Sequence, residues 1–115
     1  MEYTRLYSDS KGDTHFETVS VPLHKEGMIG YLSEKYPVSD IQFRKNDAGY
    51  DWDYHTAPAR QFIVLLDGGV EITTSLGEKR QFNSGEVILV EDVTGKGHKT
   101  KNLEKRERKS LFIRI

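Results

Sequence analysis

Phe62-Ile63-Val64-Leu65-Leu66 constrains the fold of this chain more than any other segment, because it is apolar at every position and is closed at once by Asp67-Gly68-Gly69. A strand apolar on both faces has to be covered on both. Gln61, Ile63 and Leu65 fall on one side of it, and Phe62, Val64 and Leu66 on the other. One side is expected to line the domain core. The other should meet a further sheet or a second subunit, so a homodimer is expected.

Short apolar runs and turn residues continue the rhythm on both sides. After Gly68-Gly69, residues 70–74 return as a hairpin strand, Leu76-Gly77-Glu78 turns, residues 79–82 form a short strand, and Asn83-Ser84-Gly85 turns again before Val87-Ile88-Leu89-Val90. Upstream, residues 15–23 read as a strand with Val19, Val21 and Leu23 on one face, and residues 28–32 as a further short candidate. Residues 33–37 suit a turn or one helical turn. In residues 38–44, Ile41 and Phe43 oppose Gln42 and Arg44, the alternation of a half-buried strand whose apolar side faces inward. The polar residues 1–13 read as a loop. The charged residues 99–109 lack an apolar face and read as an exposed connection or an edge strand, whereas residues 111–115 form a closing strand that ties the terminus into the sheet. Strands and turns at this spacing indicate a single all-β domain over residues 1–115, a sandwich or barrel.

Bulk composition narrows the function classes. The formal charge is −1, with 30% charged and 36% hydrophobic residues, so no global field draws the chain toward nucleic acid or an anionic membrane. The charged stretch at 99–109 carries both signs and does not make a nucleic-acid patch. There is no cysteine, which excludes disulfides, thiolate metal sites and a cysteine nucleophile. No apolar leader or membrane-length run occurs, so a cytoplasmic location is expected.

Two histidines, His55 and His98, stand at the ends of predicted buried strands, and a β-barrel can bring such ends together over one cavity. Ahead of His55, strict alternation places Tyr50, Trp52 and Tyr54 on one face and Asp51, Asp53 and His55 on the other. Trp52 and Tyr54 are candidates for stacking on a ligand, although aromatics at this spacing also serve as core. Arg60 and Gln61 are neighbours on one strand and point apart, so only one can enter a cavity. The same holds for Glu91 and Asp92. Lys96 between Gly95 and Gly97 is not a phosphate loop, which needs a longer glycine spacing, Ser or Thr after the lysine, and a following helix.

These residues resemble the two motifs of the cupin superfamily. The first motif has the form G-x5-H-x-H-x3–4-E-x6-G and covers residues 49–68, with Gly49, His55, Gln61 and Gly68 in register. The second, G-x5-P-x-G-x2-H-x3-N, covers residues 85–102: Gly85 opens it, and Gly95, His98 and Asn102 reproduce its ending. The chain departs from the pattern at Ala57, in place of the second histidine, and at Gln61, in place of the glutamate. Glu91 stands where proline is usual, and the second motif is two residues longer.

The resemblance, to a small single-domain RmlC-like cupin with a degenerate first motif, implies a double-stranded β-helix (jelly-roll) barrel. It also implies a cavity lined by His55, Gln61 and His98, the motif match selecting Gln61 over Arg60 to enter it. Strand parity leaves Glu91 or Asp92 as a candidate to assist there, and Trp52, Tyr54 and Arg60 as candidate ligand contacts. A cupin with a complete site holds a divalent metal. Here the ligand set is reduced to His55, Gln61 and His98, and the ion, where one is bound, is expected to be zinc, iron, nickel or manganese. Three functions follow: a metal-dependent oxygenase, isomerase or lyase, a metal-free acid–base isomerase using His55 and His98, or a non-catalytic cupin that binds a small metabolite.

Overall fold

Twelve strands and one three-residue 3-10 turn, Gly27–Ile29, make up the regular structure of the computed structural model, which describes all 115 residues. The strands are β1 (Glu2–Ser8), β2 (Thr14–Ser20), β3 (His24–Lys25), β4 (Tyr31–Leu32), β5 (Asp40–Asn46) and β6 (Asp51–His55) in the first half. The second half holds β7 (Gln61–Leu65), β8 (Val70–Thr73), β9 (Lys79–Phe82), β10 (Val87–Val90), β11 (His98–Asn102) and β12 (Arg108–Arg114). No helix is long and apolar enough to cross a membrane.

Six strands form one sheet in the order β2-β1-β10-β7-β12-β5, and four form a second in the order β6-β11-β8-β9, while β3 and β4 pair with each other. Every pairing is antiparallel except β1 beside β10. Because side chains alternate along a strand, register decides what faces inward. Leu6, Leu65, Ile88 and Val90 from the larger sheet meet Val70, Ile72 and Phe82 from the smaller one, with Ala57 between, in one buried apolar cluster. The two sheets therefore face each other across a shared core. The apolar strand β7 sits inside the larger sheet, between β10 and β12.

Several elements differ from their sequence reading. Residues 1–13 are not a loop throughout: β1 adds to the larger sheet beside β10 and β2, and Leu6 is fully buried. A single inward leucine among polar neighbours leaves almost no periodic signal, and pairing decides the element. Of the charged stretch 99–109, residues 103–107 form the exposed connection expected, but residues 99–102 are not an edge: they belong to β11, which lies between β6 and β8 with its lysines directed away from the core. In β5 the expected polarity is inverted. Ile41 and Phe43 are 51% and 83% exposed, while Arg44, on the opposite face, points between the sheets.

The outer face of β7 is covered in part by the chain itself. Tyr3 and Tyr36 pack edge-on against Phe62 at 5.3 and 5.9 Å between ring centroids. In the same face, register aligns Phe62 with Ile113 and Ile113 with Ile41, and likewise Val64 with Leu111 and Leu111 with Phe43. The chain terminus is tied in as expected, Ile115 N–H donating to the carbonyl of Arg60 at 3.1 Å.

Candidate functional site

A cavity of about 180 Å³ opens between the two sheets. Its middle is apolar, lined by Ile63, Leu65, Ile88 and Phe112 from the larger sheet and by Val70 and Ile72 from the smaller one. Polar groups enter at two ends. His55, His98 and Gln61 stand at one, and Arg44, Arg108 and Tyr50 at the other. Strand register accounts for the separation: β12 aligns Phe112 with Ile63 and Ser110 with Leu65, so Arg108 falls beyond Leu65, at the far end from Gln61.

The histidine end depends on an irregular pairing. His98 of β11 lies opposite His55 of β6, yet Thr100 lies opposite Trp52, so two residues of β6, Asp53 and Tyr54, face the single Lys99. This bulge overturns the strict alternation expected for residues 50–55. Trp52 and His55 come to one side, stacked with 3.6 Å between ring centroids and 13° between planes, and both line the cavity. Gly97 permits the approach of β11. With φ at +74°, a Cβ there would lie 2.2 Å from the carbonyl oxygen of His55.

The two imidazoles lie 4.6 Å apart between centroids. His55 Nδ1–H donates to the carbonyl of Asp53 at 2.7 Å, which leaves Nε2 as a proton acceptor. Burial, followed by repulsion from His98, lowers its pKa below the ordinary histidine value and outweighs the backbone hydrogen bond. His55 is thus neutral at pH 7. His98, nearly buried, donates Nδ1–H to the Oδ2 of Asp92, which is fully buried, and its Nε2 remains free. A carboxylate behind an imidazole sets its tautomer and orientation. Gln61, 3% exposed, faces the same cavity, and its amide has no hydrogen-bond partner within the protein.

Sequence reasoning did not identify the arginine end. Arg108 is 3% exposed, with its Nε donating to Asn102 Oδ1 at 3.0 Å. Asn102, the last residue of the second motif, also donates to the carbonyls of Asp47 and Arg106, so it anchors two loops and one guanidinium. Arg44 lies over the rings of Phe112 and Tyr50, at 4.8 and 5.0 Å from their centroids. Neither Arg44 nor Arg108 forms an ion pair. The one sequence signal for Arg108 is its place on the same alternating face as Phe112, and charge at that position argued for solvent.

The remaining candidates lie elsewhere. Glu91 and Arg60 do not line the cavity: they pair with each other, and Glu91 also accepts from Arg5. Burial opposes ionisation of Glu91, yet the hydrogen bonds from Arg5 and Arg60 outweigh it and its pKa falls. Parity explains the placement, since Arg5 projects from β1 on the face opposite buried Leu6. Tyr54 is half exposed, outside the cavity lining, and donates to the carbonyl of Thr74 at 3.3 Å. Asp92 touches His98 from behind rather than facing the cavity.

The donor set does not fit the divalent ion that a complete cupin site holds. No group of three histidine, aspartate or glutamate side chains converges anywhere in the chain. Asp92, the carboxylate at this end, is engaged with the Nδ1 of His98, and Gln61 supplies only an amide oxygen, a weak ligand for zinc, iron or nickel.

No family model and no curated protein matches the chain. Among solved structures it is similar to the cupin domain of Cnp3 from Schizosaccharomyces pombe, with a TM-score of 0.52 and 15% identity, over 97% of this chain and 85% of that one. That likeness, over nearly the whole length, is one of fold, in agreement with the two facing sheets. By its architecture, the chain has the fold of the cupin superfamily.

Proposed function

We infer that the chain binds a small organic molecule in the cavity between its sheets, with the polar part of the molecule meeting His55, His98 and Gln61. The observation that carries this reading is the side chain of Gln61. It is 3% exposed, unpartnered, and directed into the same space as two imidazoles. Its amide atoms are not sealed inside the protein but open onto the cavity, where a ligand can donate to the oxygen and accept from the nitrogen. A fragment screen by nitrogen-15 NMR tests the reading. Binders should move the amide signals of Ile63, Ile72 and His98, and a library that leaves all three unmoved overturns it.

Turnover would use the same residues. Neutral His55, with a free Nε2, suits proton abstraction, and His98, carrying a second proton on Nε2 with Asp92 balancing its charge, would return a proton and be left neutral, as in a metal-free isomerase. A non-catalytic binder would use them only for hydrogen bonding. Ligand affinity is expected to survive EDTA unchanged, as is thermal stability. Stoichiometric metal in the purified chain, lost on chelation together with ligand affinity, would instead support an ion on His55, Gln61 and His98.

A second copy of the chain is proposed to cover the outer face of the larger sheet. Its support is the row of Ile41 and Phe43 continued by Leu111 and Ile113, which the chain itself leaves open at β5.

A further inference from the structure

We propose that the Arg44–Arg108 end of the cavity binds the carboxylate of an organic acid, whose apolar body lies against Leu65 and Phe112 and whose far end reaches His55, His98 and Gln61. This rests on the cavity being a ligand site and names the class of ligand it takes.

Two guanidinium groups face one small cavity with no acidic side chain in contact with either. Arg108 is buried and Arg44 half-buried, and a buried guanidinium is almost never left unpaired. Of the nearby carboxylates, Asp67 is occupied by the backbone N–H of Lys109 at 2.6 Å. The strain of the arrangement registers on Arg108, whose pKa is lowered by burial and then by the charge of Arg44. An anion between the two would remove that repulsion.

The geometry also selects the kind of anion. Asn102 holds Arg108 through Nε, so the two terminal nitrogens are left as a forward-facing edge, the planar pair that matches two carboxylate oxygens. Arg44 is stacked on the Tyr50 and Phe112 rings, which restrains the plane of its guanidinium. The walls beyond are apolar, and a singly charged carboxylate loses far less hydration on entering them than a dianionic phosphate does. From His98 to Asn102, four steps of β11 at about 3.3 Å each span about 13 Å. That distance suits a molecule with an acid group at one end and a hydrogen-bonding group at the other.

Isothermal titration with two matched acid–amide pairs, benzoate with benzamide and hexanoate with hexanamide, tests the assignment, with inorganic phosphate as a third probe. At least one acid should bind tenfold or more tightly than its amide. Arg44→Gln should abolish that preference by weakening the acid far more than the amide, and Arg44→Lys should restore part of it. Arg44 is chosen because Arg108 also anchors Asn102 and its loss could disturb the fold. Acids and amides binding equally would overturn the inference and leave the cavity reading standing, as would a preference that persists in Arg44→Gln. Phosphate binding as tightly as the better acid would overturn the choice of carboxylate. If no acid or amide binds at millimolar concentration, the inference and the cavity reading fall together.

Discussion

At the scale of single residues, the site rests on polar groups held by buried partners. Asp92 is fully enclosed, with Oδ2 on His98 and Oδ1 unpartnered. Asp92→Ala removes the acceptor and strands the imidazole N–H. It should lower stability by about 1–3 kcal/mol, read from urea unfolding, and flatten the ligand dependence of the His98 signals. His55 makes a pH-dependent contribution of defined sign. Its folded pKa lies below the ordinary 6.5, so the unfolded chain takes up the proton more readily. The stability His55 contributes is complete above 6.5 and is lost as pH falls from there through its lowered folded value. Tm of the native chain should drop more steeply than that of His55→Gln across this interval, and parallel curves would contradict the assignment.

At the scale of elements, the meeting of β6 and β11 decides the histidine geometry. A regular ladder would leave Trp52 and His55 on opposite faces, and the extra residue in β6 places them together. Gly97 is the other requirement, because any side chain there would collide with the carbonyl of His55 and would sit at a φ suited to glycine. Gly97→Ala should therefore cost well over 1 kcal/mol and displace His98 from His55, visible as loss of the nuclear Overhauser contacts between the two rings. A substitution that melts with the native chain and keeps those contacts would show that β11 has room the structure denies it. Gly95, packed on Gly12, and Lys96, paired with Asp13 at 2.9 Å, give the Gly-Lys-Gly turn a structural account that owes nothing to phosphate.

At the scale of the whole molecule, the inverted polarity of β5 links the cavity to the surface. Turning Arg44 inward forces Ile41 and Phe43 outward, so the same strand supplies the cation of the proposed ligand site and the apolar edge of the sheet's outer face. A twofold partner laid on that face would bury both, in keeping with the self-complementary interface of a symmetric dimer. Light scattering should then give a mass of two chains for the native protein and of one chain for Phe43→Glu. A native mass of one chain would remove the proposal.

Much of the architecture was legible from one-dimensional pattern. The all-apolar β7, the glycine-bounded hairpins through β8, β9 and β10, and the closing β12 are local features, since turn residues and strand periodicity act over a few positions. The motif positions His55, Gln61 and His98 line one cavity. What sequence could not decide were the questions of face. Whether Arg44 or Phe43 turns inward, whether Trp52 joins His55, and whether Glu91 meets the cavity or Arg5 depend on register and on one bulge. A shift of a single residue reverses every side chain along a strand. The chain by itself determined most of its strands and turns and the histidine end of the candidate site, but not β1, whose pairing alone makes it a strand. The tertiary structure decided the other end, because only the pairing of β5 with β12 brings Arg44 and Arg108, distant in sequence, onto the same inner face.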